Sequence, residues 1–197
     1  MARSTVFSGD GVILNACCLR NISASGCMAA ILEACPVPTM IARIVNDQEQ
    51  PLQILREHQE GAGLVVEHID LQPILHTGVL VIASITSEAE ETMMVDLATL
   101  LEDGEATTAA LAQQRGWAIG VDEPTITALL RQHLPDVQMV STPILMQLWA
   151  RHSRPPSLTL RGALQQIHQG TGYAPPVHHP LYSWWQEVVE TTKDEPM

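Results

Sequence analysis

The sequence has very little positive charge. Lys193 is the only lysine, and 10 lysines and arginines face 22 aspartates and glutamates, which gives a formal net charge of -12. A protein that binds nucleic acid through its phosphates normally carries a basic stripe. No such stripe is present in this sequence. RNA binding is therefore disfavoured unless a metal ion or a partner supplies positive charge.

Long apolar runs are missing too. No run reaches the ~18 residues that a membrane-spanning helix needs, and the opening "MARSTVFSGDG" lacks the apolar stretch of a signal peptide. The cysteines, which are Cys17, Cys18, Cys27 and Cys35, show no CxxC spacing and fit neither a zinc site nor a disulfide framework. We therefore expect a cytoplasmic protein without a membrane segment, in which the cysteines are small buried residues.

The common motifs of phosphate loops and serine hydrolases are also absent. The chain contains no GxGxxG, no Walker motif and no GxSxG elbow. His178 and His179 stand beside a proline without further metal-ligand residue types near them, which indicates an incidental pair. A pairing of Cys17 or Cys18 with a distant histidine is not distinguishable from chance. These absences leave no sequence signature of nucleophilic catalysis.

Strand-like and helical segments alternate along the first three quarters of the chain. Residues 12–14, 79–85 and 117–121 have the apolar composition of buried strands, and helical segments separate them. This pattern predicts an α/β fold with a mainly parallel central sheet that helices cover on both faces. We expect one domain over residues 1–152 and a C-terminal helical extension over residues 153–197 that packs on it.

Two local interpretations matter for the function. The segment "TMIARIVND" (39–47) has apolar residues at helical spacing and is predicted to be a helix. The segment "GLVVEHI" (63–69) is predicted to be a strand or an extended edge. Ser87 and Asp103 are predicted to be the N-caps of the helices that follow them.

Polar residues stand where the predicted strands end. Asn15 follows the first strand, and Asp122 and Glu123 follow "WAIGV". Asp103 and Glu105 open the helix that leads into this last strand, and because residues two apart do not share a helix face, Glu105 is the predicted inward carboxylate. Each has a structural explanation alone: Asn15 could cap a helix, and acids favour a helix start. Together, at the end of a parallel sheet where ligands gather, they favour a Mg²⁺ or Mn²⁺ site.

Two blocks of the sequence resemble the PIN-like domain family. "VILNACCLRNISASGCMAAIL" is similar to the family's opening strand and helix, whose usual form is an apolar strand, Asp, two short residues, Leu-Ile-Asn and then Ala-Ser-Gly. "LLEDGEATTAALAQQRGWAIGVDEP" resembles the second block, in which Asp-Gly-Glu-Ala precedes a helix and a strand that ends in acids. The likeness covers roughly residues 10 to 150, and "YAPPVHHPLYSWW" looks like the tail of a bacterial branch.

The resemblance implies a three-layer α/β/α fold and metal-dependent cleavage of RNA phosphodiesters. Many members are toxins of bacterial toxin–antitoxin pairs, so an antitoxin is an expected kind of partner. The family's acidic quartet maps unevenly onto this chain: the first acid falls on Asn15, the third on Glu105 with help from Asp103, and the fourth on Asp122 or Glu123. The second falls near Val45, with Asp47 the closest carboxylate.

These positions lead to two functional hypotheses. In the first, Asn15, Glu105 and Asp122 are the catalytic positions, Asp103, Glu105, Asp122 and Glu123 bind Mg²⁺ or Mn²⁺ weakly, and RNA cleavage is weak or lost. Asn15 keeps an oxygen but lacks a charge, and a charge pair at 4 Å contributes about 4 kcal/mol at an effective dielectric of about 20. In the second, the chain is an inactive interaction module that binds a protein partner or forms a homodimer.

Overall fold

The computed structural model describes residues 7–47, 52–57 and 63–190. Its strands are β1 (Val12–Leu14), β2 (Thr39–Ala42), β3 (Gln53–Glu57), β4 (Leu64–His68), β5 (Leu80–Ala83), β6 (Ala118–Gly120) and β7 (Met139–Val140). Its helices are α1 (Ala16–Ala24), α2 (Met28–Glu33), α3 (Arg43–Asn46), α4 (Gln72–Thr77), α5 (Glu88–Leu97), α6 (Asp103–Arg115), α7 (Pro124–His133), α8 (Thr142–Ser153), α9 (Ser157–Thr171) and α10 (Tyr182–Glu190).

The central sheet has the order β5-β2-β1-β6-β7, and every neighbouring pair in it is parallel. Helix α6 packs against β1, β2 and β6, while α1, α2 and α8 pack against one another. Helices flank the sheet, so the fold is a three-layer α/β/α arrangement, as the alternation of the sequence predicts. All the carboxyl ends of the strands lie at one edge because the sheet is parallel.

The strand β1 lies at the centre of the sheet, and all its side chains are buried. It pairs with β2 on one side and β6 on the other, with Leu14 opposite Ile41 and Gly120. A Cβ on Gly120 would lie 2.5 Å from Leu14 Cδ2, so glycine allows this close approach. The ends of β1 and β6 are therefore held side by side.

The prediction of a helix over residues 39–47 is wrong for its first half. Residues 39–42 form β2 between β1 and β5, and only Arg43–Asn46 are helical. A short apolar run that is buried on both faces has no amphipathic period that separates strand from helix. Pairing with two neighbouring strands decides the conformation here.

The predicted strand at residues 63–69 is confirmed as β4, but it lies outside the central sheet. It forms an antiparallel hairpin with β3, a strand that the sequence pattern did not reveal. The inner face of the hairpin is tied to α1, since the Arg56 guanidinium donates hydrogen bonds to the backbone oxygens of Ala24 at 2.8 Å and Ser23 at 3.3 Å.

The C-terminal helices pack on the body of the fold. Helix α9 lies against α1 and β3, and α10 lies against α9. Trp185 of α10 is 2% exposed and contacts the Tyr173 ring edge-on, with 6.1 Å between ring centroids. None of the helices within the described part of the chain is both long enough and apolar enough to cross a membrane.

Candidate functional site

A crevice of about 190 Å³ opens at the carboxyl ends of β1 and β6. We call it the strand-end crevice. Its polar lining comes from the N-cap and first turns of α1, the start of α6 and the N-cap of α7, namely Asn15, Cys17, Arg20, Glu102, Glu105 and Glu123. The crevice thus gathers carboxylates, one guanidinium, one amide and one thiol where a parallel sheet places its ligands.

Asn15 occupies the junction between β1 and α1. Its backbone N–H donates to the Gly120 oxygen at 2.9 Å, and its carbonyl accepts the first hydrogen bond of α1 from Leu19 at 3.0 Å. It holds the N-cap position, but its side chain makes no capping hydrogen bond. Asn15 is 2% exposed, and its Nδ2 has no hydrogen-bond partner among the described residues. The amide is therefore a buried donor at the wall of the crevice and does not cap the helix.

Glu105 lies on the inward side of α6, as its position in the sequence predicts. Burial raises the pKa of its carboxyl, and the charges of Glu123 and Glu102 raise it further. The backbone N–H of Glu102 and the nearby Asn15 amide act in the opposite direction. This amide lies close enough to influence Glu105, although it is outside normal hydrogen-bond geometry. A positively charged neighbour would therefore stabilise the ionised form of the Glu105 carboxyl group.

Asp103 is not the N-cap of α6, contrary to the prediction. The N-cap is Glu102, and it forms a capping box with Glu105: the side chain of each accepts the backbone N–H of the other. The Glu102 N–H to Glu105 Oε2 distance is 3.3 Å. Asp103 is the first helical residue, is exposed and does not line the crevice. A metal-ligand role for Asp103 has no geometric support.

The two acids after β6 point to different places. Asp122 accepts a hydrogen bond from Asn21 Nδ2 at 2.9 Å, and it accepts two from Thr142, one from the backbone N–H at 2.8 Å and one from the hydroxyl. It thereby ties β6 to α1 and caps the first turn of α8. Glu123 is exposed and lines the strand-end crevice. Of the two candidates for the family's fourth acid, Glu123 is the one beside Asn15 and Glu105.

The position of the family's second acid holds no carboxylate in the described chain. Val45 lines the crevice and is 3% exposed. Asp47 lies two residues later, at the C-cap of α3, and is exposed. Its Oδ2 atom lies 3.8 Å from Arg43 Nη1, so the two side chains form an ion pair along this helix. The crevice therefore has an apolar side chain at the position where the PIN-like resemblance would place a second acid.

A divalent cation fits these residues poorly. Within residues 7–47, 52–57 and 63–190, no three His, Cys, Asp or Glu side chains are grouped closely enough to hold a metal ion. Both oxygens of Asp122 already accept hydrogen bonds, and Asn15 presents an unpaired donor next to Glu105. A metal ion needs oxygen lone pairs and is repelled by an N–H donor. The arrangement is not a preformed Mg²⁺ or Mn²⁺ site.

The surroundings of the Cys17 thiol, which lines the crevice, make it a poor nucleophile. Burial raises the pKa of Cys17 to about 11, and the charge of Asp122 adds to the effect. Cys18 is fully buried, and burial raises its pKa well above the usual range. Because the thiolate is the nucleophile, neither cysteine suits covalent catalysis.

His179 is a structural residue. The Leu181 backbone N–H donates to its Nδ1 at 3.0 Å, so in the neutral ring the proton is on Nε2, which lies 2.8 Å from Ser141 Oγ. The ring then donates to the serine and cannot take a proton from it. Burial lowers the pKa of His179, which favours this neutral form. His178, its neighbour, is exposed.

Sequence reasoning missed Arg20 and Glu102 as crevice residues. Arg20 stands where the PIN-like pattern has Ile in Leu-Ile-Asn, which is a signal that the sequence does contain. Glu102 stands three residues before Glu105, which is the capping-box spacing, but glutamate is an uncommon N-cap. The register of the helix start was therefore assigned one residue late.

Comparisons with models of protein families, with curated proteins and with solved structures gave no match to this chain.

Proposed function

We propose that this chain is a PIN-like protein of the metal-dependent ribonuclease class whose active site is eroded, so that it cleaves RNA weakly or not at all. The observation that carries the proposal is the state of the residues at the four quartet positions, in and beside the strand-end crevice. Asn15 is an amide with an unpaired donor, Val45 is apolar, and Asp122 is engaged in capping α8. Glu105 and Glu123 are the carboxylates that remain available at these positions.

Three carboxylates line the crevice, but those of Glu102 and Glu105 each accept a backbone N–H in the capping box, which weakens their hold on a divalent cation. Asn15 removes one unit of charge, and even a third of the roughly 4 kcal/mol that such a charge contributes equals about a tenfold loss in affinity. The net charge of -12 also opposes the approach of RNA. Weak cleavage at most follows from these two effects together.

Restoring the first acid is expected to restore cation binding. We expect Asn15→Asp to bind Mn²⁺ at least tenfold more tightly than the parent protein, because it adds a carboxylate beside Glu105 and removes the unpaired donor. Calorimetric titration with MnCl₂ measures the affinity. Gln114→Glu, an exposed site at the far end of α6, adds the same charge outside the crevice and is expected to change the affinity less than twofold.

An RNA cleavage assay complements the titration. With single-stranded RNA and Mn²⁺, we expect the rate of RNA cleavage by the parent protein to be close to the rate in buffer alone. Efficient cleavage by the parent protein that Glu105→Gln abolishes would show an intact site and contradict the proposed erosion. Far-ultraviolet circular dichroism of each variant establishes that it is folded before activity is compared.

A second candidate function is that of a protein-interaction module. One face of the β3–β4 hairpin carries Leu55, Leu64 and Val66, which are 39%, 53% and 58% exposed. Contiguous exposed apolar side chains favour protein contacts. If the hairpin joins two copies, sedimentation equilibrium is expected to give a dimer that Val66→Ser weakens. If the protein is a monomer at all concentrations, this face does not join two copies of the chain and could only bind a different protein.

A further inference from the structure

One wall of the strand-end crevice carries hydrogen-bond donors for which the proposed eroded metal site has no use. This wall consists of Asn15, Arg20 and the first turn of α1. Arg20 is exposed, lines the crevice and makes no hydrogen bond or ion pair with any residue in the described ranges. Asn15 is 2% exposed, and its Nδ2 has no hydrogen-bond partner among the described residues, although it lies close to the Glu105 carboxyl. The Asn15 amide and the Arg20 guanidinium thus line the same crevice.

The start of α1 adds a third source of positive potential. This helix has nine residues, and no side chain at its N-cap accepts a hydrogen bond from its first turn. The free N–H groups at a helix start and the helix dipole attract anions. By contrast, the start of α6 on the opposite wall is satisfied by the Glu102–Glu105 capping box. The positive potential is therefore concentrated on the side of Asn15 and Arg20.

The two departures from the PIN-like pattern act in the same direction. Asn15 stands in place of Asp, and Arg20 stands in place of Ile, so each makes this wall more positive by one unit of charge. A guanidinium and an amide N–H are donors that match the oxygens of a phosphate group. The crevice volume of about 190 Å³ is ample for a phosphate group with bound water.

The carboxylates of the crevice oppose the binding of an anion. Glu102 and Glu105 each accept a backbone N–H, but Glu123 is exposed and its carboxylate has no ion-pair partner among the described residues. Glu123 and Glu105 repel an anion across the crevice, and Arg20 is the cation that offsets them. Removing Arg20 is therefore expected to affect anion binding more than any other change on this wall.

We propose that Asn15, Arg20 and the N-terminus of α1 bind a phosphate group without a divalent cation. The proposal builds on the proposed function, because it assigns a ligand to the crevice after the loss of the metal site. The phosphate can belong to an RNA chain or to a free phosphomonoester. Both sources present the same oxygens to Asn15 and Arg20.

The test measures phosphate binding in the presence of EDTA. We titrate the full chain with inorganic phosphate, adenosine monophosphate and a short single-stranded RNA by calorimetry. Arg20→Gln is expected to weaken binding of the probe at least tenfold. Arg131→Gln, which removes an exposed arginine in the last turn of α7, is the matched control and is expected to change binding less than twofold.

Asn15→Asp gives a reciprocal result if the proposal is correct. It is expected to weaken phosphate binding in EDTA at least tenfold while it strengthens Mn²⁺ binding, since a carboxylate repels one ion and attracts the other. Asn15→Leu, of similar shape, removes the donor without adding charge and is expected to weaken phosphate binding without the gain for Mn²⁺. If either Asn15 variant does not fold, Arg20→Gln at its exposed position still provides the test.

The outcomes separate this proposal from the proposed function. Tighter binding of RNA than of adenosine monophosphate supports an RNA source, and the reverse supports a free phosphomonoester. Failure of all three probes to bind in EDTA, binding that requires Mn²⁺, or equal losses in Arg20→Gln and Arg131→Gln would each overturn the phosphate site. Efficient Mn²⁺-dependent cleavage of RNA would instead overturn the eroded active site, and phosphate binding in EDTA would stand or fall separately.

Discussion

Replacing Asp122 with alanine is expected to lower the free energy of unfolding by about 3 to 5 kcal/mol. The carboxylate accepts hydrogen bonds from Asn21, from the Thr142 backbone N–H and from the Thr142 hydroxyl. Its removal leaves these partly buried donors unsatisfied, and each costs about 1 to 3 kcal/mol with incomplete additivity. Urea denaturation followed by circular dichroism measures the change.

The neighbouring acid is the matched control. Glu123→Ala is expected to change the stability by less than about 0.5 kcal/mol, because Glu123 is exposed and lies on the crevice. Equal effects of the two substitutions would contradict the structural role of Asp122. The comparison also has a practical consequence, since loss of activity in Asp122→Ala would report unfolding and give no information on metal binding.

Replacing Glu90, which is 5% exposed, with glutamine is expected to destabilise the protein by about 2 kcal/mol at pH 7, because the amide lacks the charge that pairs with Arg115. Glu90 accepts a hydrogen bond from Arg115 Nε at 2.6 Å and from the Thr86 backbone N–H at 2.7 Å. The Arg115 hydrogen bond is the main reason that the pKa of Glu90 falls to about 2. This contact joins the start of α5 to the end of α6.

The pH dependence follows from the direction of that pKa shift. A carboxyl with a lowered pKa in the folded state stabilises the protein above its unfolded value near 4.5. This contribution is lost as the pH falls from about 5 to about 2. The stability difference between parent and Glu90→Gln is therefore expected to shrink over that interval. A difference that persists at low pH, or an equal effect of Glu91→Gln at an exposed position, would contradict the assignment.

Much of the fold could be predicted from local pattern. The Ser87 N-cap is confirmed, with a full capping box to Glu90, and Gly26, Gly78 and Gly116 all adopt the positive φ expected after a helix. Such features depend on a few neighbouring residues, so the sequence carries them directly. The parallel sheet followed in the same way from strands separated by helices.

The errors arose where distant parts of the chain decide the outcome. Residues 39–42 form a strand because β1 and β5 pair with them. The hairpin partner β3 has no strong sequence pattern of its own. Both depend on contacts that a local window of sequence does not contain.

The same distinction between local sequence and distant contacts applies to the candidate site. The sequence alone determined which polar residues stand at the strand ends, namely Asn15 and the Asp122–Glu123 pair, and that Glu105 stands at the start of a helix, because strand and helix boundaries fix these positions. Only the tertiary structure decided that Asp122 turns to Asn21 and Thr142 while Glu123 turns to the crevice. Adjacent residues at the end of a strand point in different directions, and the neighbour that each one meets comes from elsewhere in the chain. The same packing leaves the Asn15 amide buried without a partner, a fact that follows from its surroundings and not from its position in the sequence.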